Sequence, residues 1–274
     1  MAKRVAHAHA HAGAALAVAL LAASCKSDPS APPPPPAPGA AAGDPRAIRE
    51  LDVPKLSAVA APTIDGKLDE AVWASAPGTG ELVDVGTGRE NRSTDLGGKV
   101  RLAWDEAFLY VGFEARDRSV HGGWPAGAVD PHLWEKDTIE IMLDPDGDGD
   151  NVDYYEIQIN PQNLVFDTRY DGYNRPNGGG KGPFGHEDWS ARLESAVIVE
   201  GTLDDDGDVD RGYTVEARIP WASFDKAKRA PPAPGDTWRV NFYAMQDNGG
   251  LAWSPILGQG NFHRASRFGR VRWR

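Results

Sequence analysis

From residue 62 onward, apolar and polar residues alternate with a period of two through much of the chain. Around Trp134–Pro161 the pattern is sharpest. Ile139, Ile141 and Leu143 share one parity, and Thr138, Glu140 and Met142 share the other. After the acidic turn DPDGDGDNVD, Tyr155, Ile157 and Ile159 alternate in the same way with Glu156, Gln158 and Asn160. Alternation of this kind predicts two antiparallel strands with one apolar face in a core and one polar face left open. Further strands are predicted at 100–104 and 109–115, joined across Asp105–Glu106, and at 165–171, 192–201, 212–219, 238–245 and 267–273. Residues 62–77 predict a short strand, a turn at Asp65–Gly66 and one helical turn. About nine or ten short strands with turn signals between them and almost no long helix predict an all-β protein, an antiparallel sandwich of immunoglobulin-like or jelly-roll-like type.

The open face sets the candidate chemistry. Glu140 and Gln158 lie on the same parity of neighbouring strands, with Trp134 at the strand entrance. Sugars present CH patches that stack on aromatic faces, and hydroxyls that need planar hydrogen-bonding partners. Carboxylate, amide and tryptophan on one sheet face meet both needs. The competing reading of Trp134 is a cap on the end of the sandwich, and that of Glu140 and Gln158 an ordinary solvated face. Trp124, in a Gly/Pro-rich loop, is a further candidate because a tryptophan is unusual there. Trp73, Trp104, Trp221, Trp238 and Trp273 follow apolar patterns and are assigned to the core. Arg169 sits one hairpin later and has two readings, a sugar contact or a partner for local carboxylates.

Composition narrows the class. The chain has 274 residues and nine tryptophans, and its formal net charge is −11. That acidity disfavours nucleic acid and anionic lipid surfaces as partners. The single cysteine, Cys25, excludes an intrachain disulfide. It follows Lys3 and Arg4, an apolar run over 14–23, and the small residues Ala22, Ala23 and Ser24. This layout is a signal peptide, 1–24, and it resembles a bacterial lipoprotein processing site, which makes Cys25 the lipidated mature terminus. Residues 25–50 form a Pro/Ala-rich tether, and the folded domain is expected over 51–274. The expected location is the cell envelope, with Lys26 after the cysteine favouring the outer membrane by analogy with lipoprotein sorting.

Asp144, Asp146 and Asp148 place carboxylates at every second position, as calcium loops do, although position twelve is Tyr155 and not the glutamate of an EF-hand. DDDGDVD at 204–210 has the same character. No phosphate-binding glycine loop, nucleophile elbow or zinc motif is present.

Taken together, IDGKLDEAVW (64–73), VRLAWDEAFLYVGFEARD (100–117), WEKDTIEIMLDPDGD (134–148), YYEIQINP (154–161), GYTVEARIPWASF (212–224), GDTWRVNFYAM (235–245) and the segments from AWSPI to RFGRV (252–271) resemble, in order, the family 9 carbohydrate-binding modules. The resemblance covers about 210 residues. It implies a non-catalytic β-sandwich, of a kind often attached to xylanases, that grips a sugar between aromatic faces and serves polysaccharide catabolism. No cofactor is required, although some members carry structural calcium. By position in the family pattern, Trp134 and Glu140 keep a six-residue spacing, Arg169 matches its arginine, and Asn261, followed by Phe262 and His263, matches its late asparagine. Trp253 and Phe262 are the candidates for the second aromatic platform. The expected protein is a monomeric, envelope-anchored binder of poly- or oligosaccharide. Two alternatives stand beside it. One is a glycosidase using carboxylates among Glu140, Glu156 and Asp167. The other is a haem b sandwich using Met142 or Met245, as a distantly related family uses Met and Lys.

Overall fold

The computed structural model describes residues 44–56, 60–93, 95–173, 184–258 and 262–274, all within a unit spanning Ala42–Arg274. Expectations for the signal peptide, Cys25, most of the tether and Asn261 lie outside the described residues.

The architecture is a two-sheet β-sandwich. The smaller sheet has the order β3 (Leu96–Trp104), β4 (Phe108–Asp117), β9 (Gly212–Pro220), β8 (Glu194–Glu200). The larger runs β1 (Glu50–Val53), β12 (Gly269–Trp273), β10 (Thr237–Gln246), β5 (Thr138–Asp144), β6 (Tyr154–Ile159), β7 (Val165–Tyr170). The short β11 (Gly249–Ala252) pairs with β10, and β2 (Val83–Asp84) pairs with β11. Every pairing among the described strands is antiparallel except β1 with β12.

Three differences from the expected elements have simple causes. β1, β2 and β11 are too short to show an alternation. The strand expected near 62–64 is a bend, because the Asp65–Gly66 turn is held from outside: Glu216 accepts the Asp65 and Gly66 amides at 3.0 and 3.1 Å and the Trp73 indole N–H at 2.8 Å. Gly66 has φ +86° and the backbone of Val197 3.2 Å from where a Cβ would sit, so this turn needs glycine. The fold also begins earlier than expected. Glu50 is already in β1, and Arg46 accepts an Arg267 side-chain hydrogen bond at 2.8 Å.

The core between the sheets takes Ile139, Ile141, Leu143, Tyr155, Ile157 and Ile159 from the larger sheet, as the alternation predicts. At one end Trp104, Trp221, Trp238 and Trp273 form an edge-to-face array with ring centroids 5.5–6.2 Å apart. Such tilted contacts satisfy the ring quadrupoles, and each ring removes a large apolar area from water. Trp73 and Val72, the buried residues of the helix Ala71–Ser75, form a smaller cluster with Ala103 and Tyr110.

The polar face of β5 and β6 is not open. Glu140 and Glu156 are 2% and 3% exposed, and Gln158 and Met142 are fully buried. A second cluster lies over this face, containing Met142, Tyr154, Tyr170, Tyr243, Met245, Ile256, Ala265 and Phe268, with Trp134, Tyr173 and Phe262 packed at its margin. The larger sheet is therefore covered on both sides, and the candidate residues form the floor of a recess.

Candidate functional site

Register builds the floor. Glu140 on β5 lies opposite Gln158 on β6 and opposite Tyr243 on β10, and Gln158 lies opposite Phe166 on β7. Cross-strand neighbours share a face, so carboxylate, amide and two aromatics meet there. The Gln158 amide donates to Glu156 Oε1 at 2.6 Å and to Glu140 Oε2 at 3.2 Å, bridging the two carboxyl groups. Glu156 Oε2 also accepts the Tyr170 hydroxyl at 2.9 Å.

The walls are aromatic. Trp134 stacks on His132 (4.5 Å, 15°) and meets Phe166 and Phe184 edge-on, each at 5.1 Å. Across the recess Tyr173 stacks on His263 (4.2 Å, 19°), and Phe262 stacks on Tyr243 (4.8 Å, 7°). The Tyr243 hydroxyl donates to the Phe262 carbonyl at 3.0 Å, which fixes that ring's segment. The resulting pocket has a volume of about 380 Å³ and includes Trp134, Glu140, Glu156, Gln158, Tyr173 and Phe262 in its lining. That is the size and make-up of a small-ligand site: apolar walls with a few converging polar groups.

Burial dominates the electrostatics. It raises Glu156 to about 7, and it holds Glu140 well above the usual carboxylate range, with the charge of Glu156 adding to the rise. Burial also lowers His263 to about 3, so its ring is neutral at physiological pH. Its Nδ1 is 2.8 Å from the Tyr154 hydroxyl. Glu140 Oε1 and Gln158 Oε1 are buried and find no hydrogen-bond donor among the described residues. Two unsatisfied acceptors at a pocket floor carry a desolvation cost that an incoming donor would offset.

Of the residues singled out in the sequence, Trp134, Glu140, Gln158 and Phe262 come together in this pocket. Arg169 does not. It lies opposite Tyr155 across β6 and β7, on the parity of the inner face, and it pairs with Asp225 at 3.3 Å and Asp171 at 3.7 Å. Trp124 is also outside: its backbone N–H and C=O are both tied to Gln162. Trp253 is buried in the central core against Phe242, which removes it as a platform. Asp167, the third carboxylate of the glycosidase alternative, faces away from Glu140 and Glu156 and accepts the Ala191 amide at 2.7 Å. For the haem alternative, Met245 lines the pocket while Met142 is buried in the outer cluster, and no lysine lines the pocket among the described residues.

The sequence reading missed Tyr170, Tyr173, Phe184 and His132. Tyr170 carries a legible signal, since it has the same parity as Glu156. Tyr173, Phe184 and His132 lie in irregular segments and carry none.

The acidic turn after β5 is a separate feature. Asp144, Asp146 and Asp148 each bring a carboxylate oxygen within 4.8 Å of the others. Asp144 is buried and raised to about 7, by desolvation first and by Asp146 next, while it accepts the Gly147 and Gly149 amides. An all-carboxylate set of this kind fits a hard cation. In the second acidic turn, Asp204 and Asp210 are occupied as backbone acceptors for the 120–123 segment and Thr202.

Comparison with known proteins places the chain. The pattern of the carbohydrate family 9 binding domain-like proteins matches residues 64–273. Endo-1,4-beta-xylanase A of Thermotoga maritima is 27% identical over 218 residues, which is 77% of this chain and 17% of that enzyme's length. A family 9 carbohydrate-binding module from Caldicellulosiruptor kristjanssonii, solved in complex with cellotriose, superposes with a TM-score of 0.52 at 21% identity, covering 82% of this chain and 94% of that one. A protein of Bacteroides uniformis superposes with a TM-score of 0.60 at 19% identity, covering 83% of this chain and all of its own. At these identities the two structures establish the fold alone.

The raised carboxyls make the free protein pH-sensitive. A carboxyl whose folded pKa lies above its unfolded value favours folding while protonated, and that contribution disappears as pH rises from about 4.5 through about 7. The melting temperature should therefore fall between pH 5 and pH 8. Glu156→Gln should flatten the slope by an amount on the order of 2 kcal/mol, or about 5 °C. Thermal unfolding across that range is the check, and a Glu156→Gln profile parallel to wild type would contradict the assignment.

Proposed function

This chain belongs to the carbohydrate family 9 binding domain-like proteins, and on that premise we propose that it is a non-catalytic, monomeric binder of poly- or oligosaccharide held at the cell envelope. The observation that carries the reading is the pocket itself, with aromatic walls over a carboxylate–amide floor. Trp134 offers a ring face to sugar CH groups, and Tyr173 and Phe262 bound the opposite side. Glu140, Gln158 and Glu156 take the hydroxyls. The floor's unpaired acceptors favour a ligand rich in donors, as sugars are. The xylanase relative and the cellotriose-bound module point to β-1,4-linked chains as the first ligands to test. The xylanase's hydrolytic activity is not carried over, because only a small part of that enzyme matches.

The envelope reading rests on the signal-peptide-like pattern of residues 1–24 and on Cys25 directly after it. A lipid on Cys25, followed by a Pro/Ala-rich tether, would hold the sandwich away from the membrane and let it capture polysaccharide near the cell. Calcium bound by Asp144, Asp146 and Asp148 would pin the β5–β6 turn beyond the pocket strands, in a structural role.

Three outcomes are expected. In calorimetry with cello- or xylo-oligosaccharides, Trp134→Ala and Glu140→Ala each weaken binding by ~1–3 kcal/mol while circular dichroism stays native. Unchanged affinity in both would remove them from the site. Cys25→Ser shifts the protein from the membrane fraction to the soluble fraction, and continued anchoring would refute the lipid. Calcium at about 100 times its Kd stabilises the fold by about 2.7 kcal/mol, and Asp144→Asn loses the effect. A melting temperature indifferent to calcium and chelator would exclude the ion.

A further inference from the structure

The charge of the pocket distinguishes among sugars. Its described lining contains Glu135, Glu140 and Glu156 and no arginine or lysine. Arg169, which the sequence offered as a sugar contact, is committed elsewhere, to Asp225 and Asp171. The other titratable groups facing Glu140 and Glu156 are the hydroxyls of Tyr154, Tyr170, Tyr173 and Tyr243, together with His263 and His132. His263 Nε2 lies 3.7 Å from Glu156 Oε2, where burial favours the neutral ring, and His132 sits beside Glu135 at 3.7 Å, itself a carboxylate. The floor presents Glu140 Oε1 and Gln158 Oε1 as buried acceptors without donors among the described residues. The site thus offers a buried carboxyl pair, uncompensated by arginine or lysine among the described residues, and acceptors on its floor, with aromatic faces on its walls.

We infer that the pocket is selective for amino sugars carrying a free ammonium group, such as glucosamine units, over their neutral and anionic counterparts. This rests on the carbohydrate-binding reading above and refines it. A hydroxyl supplies a single donor to the two acceptors. An ammonium supplies three donors and a charge, and its bonds to a carboxylate are charge-assisted and stronger. The aromatic walls add to the preference, because ring faces attract cations. A uronate would bring a second carboxylate against Glu140 and Glu156 and be rejected. The free site also holds a proton on its carboxyl pair through burial, and a bound cation would displace it. Affinity for the ammonium ligand should therefore rise with pH from 5 until the ligand's own amine begins to lose its proton near neutrality.

The test is calorimetry of the full chain with glucosamine tetramer, its N-acetylated form, cellotetraose and a uronic acid tetramer, at pH 5 and pH 7 and at two salt concentrations. The expected result at pH 7 is the glucosamine tetramer bound about tenfold more tightly than cellotetraose, as a charge-assisted bond replaces a neutral one. The advantage should shrink at pH 5. In Glu140→Gln the ratio of the two affinities should fall toward one, whatever happens to each alone. Cellotetraose bound as tightly as, or more tightly than, the glucosamine tetramer overturns the inference and leaves sugar binding standing. A preference that survives in Glu140→Gln and vanishes at high salt overturns it too, assigning the effect to the acidic surface. Absence of binding to every tetramer overturns both the inference and the reading beneath it.

Discussion

Two carboxyl groups and an amide side chain are buried on the outer face of a β-sheet, and the arrangement of this protein's site follows from what it takes to keep them there. Glu140, Gln158 and Glu156 occupy adjacent, same-face positions on β5 and β6, where a solvated sheet would simply leave them in water. Here the segment carrying Ile256, Ala265 and Phe268 lies over part of that face, and the aromatic rim of Trp134, Tyr173 and Phe262 surrounds the rest. Burying carboxylates without cations is costly. The structure limits the cost by sharing the Gln158 amide between them, by the Tyr170 hydroxyl, and by holding a proton on the pair. What it leaves unmet, two acceptors at the floor of an aromatic pocket, is what a ligand can satisfy.

The two sides of the larger sheet do different work. Its inner face is a conventional core, completed by the tryptophan array at one end, and it makes β5 and β6 a rigid platform. Its outer face is an aromatic layer with an opening. A site built on strands holds its polar groups in fixed register, so the spacing of Glu140, Gln158 and Glu156 is set by the sheet and not by loops. The loops supply the walls: the 132–135 turn contributes His132 and Trp134, and the segment after β11 contributes Phe262 and His263.

Much of this was legible in the sequence. Period-two alternation located both central strands and put Glu140 beside Gln158. Arg169 was kept as a candidate by its order in the family pattern, although parity argues against it: in VFDTRYD the residues Phe166, Thr168 and Tyr170 share a face that Arg169 does not. Alternation says which residues share a face but not what covers that face. The expectation of an open, solvated surface failed because its cover comes from residues about a hundred positions later in the chain. Trp253 follows the same logic. A tryptophan near the family's late aromatic position reads as a platform, yet it is spent in the core against Phe242. Loop residues such as Tyr173 and Phe184 had no periodic signal from which to be found.

The central claim is that a sugar occupies the recess between Trp134 and Phe262, over the Glu140–Gln158–Glu156 floor. A crystal structure of the protein soaked with a short β-1,4-linked oligosaccharide tests it most directly. The account predicts a pyranose ring stacked on Trp134, with its donors within hydrogen-bond distance of Glu140 and Gln158. Sugar density elsewhere on the sandwich, with this pocket filled only by solvent, would contradict it.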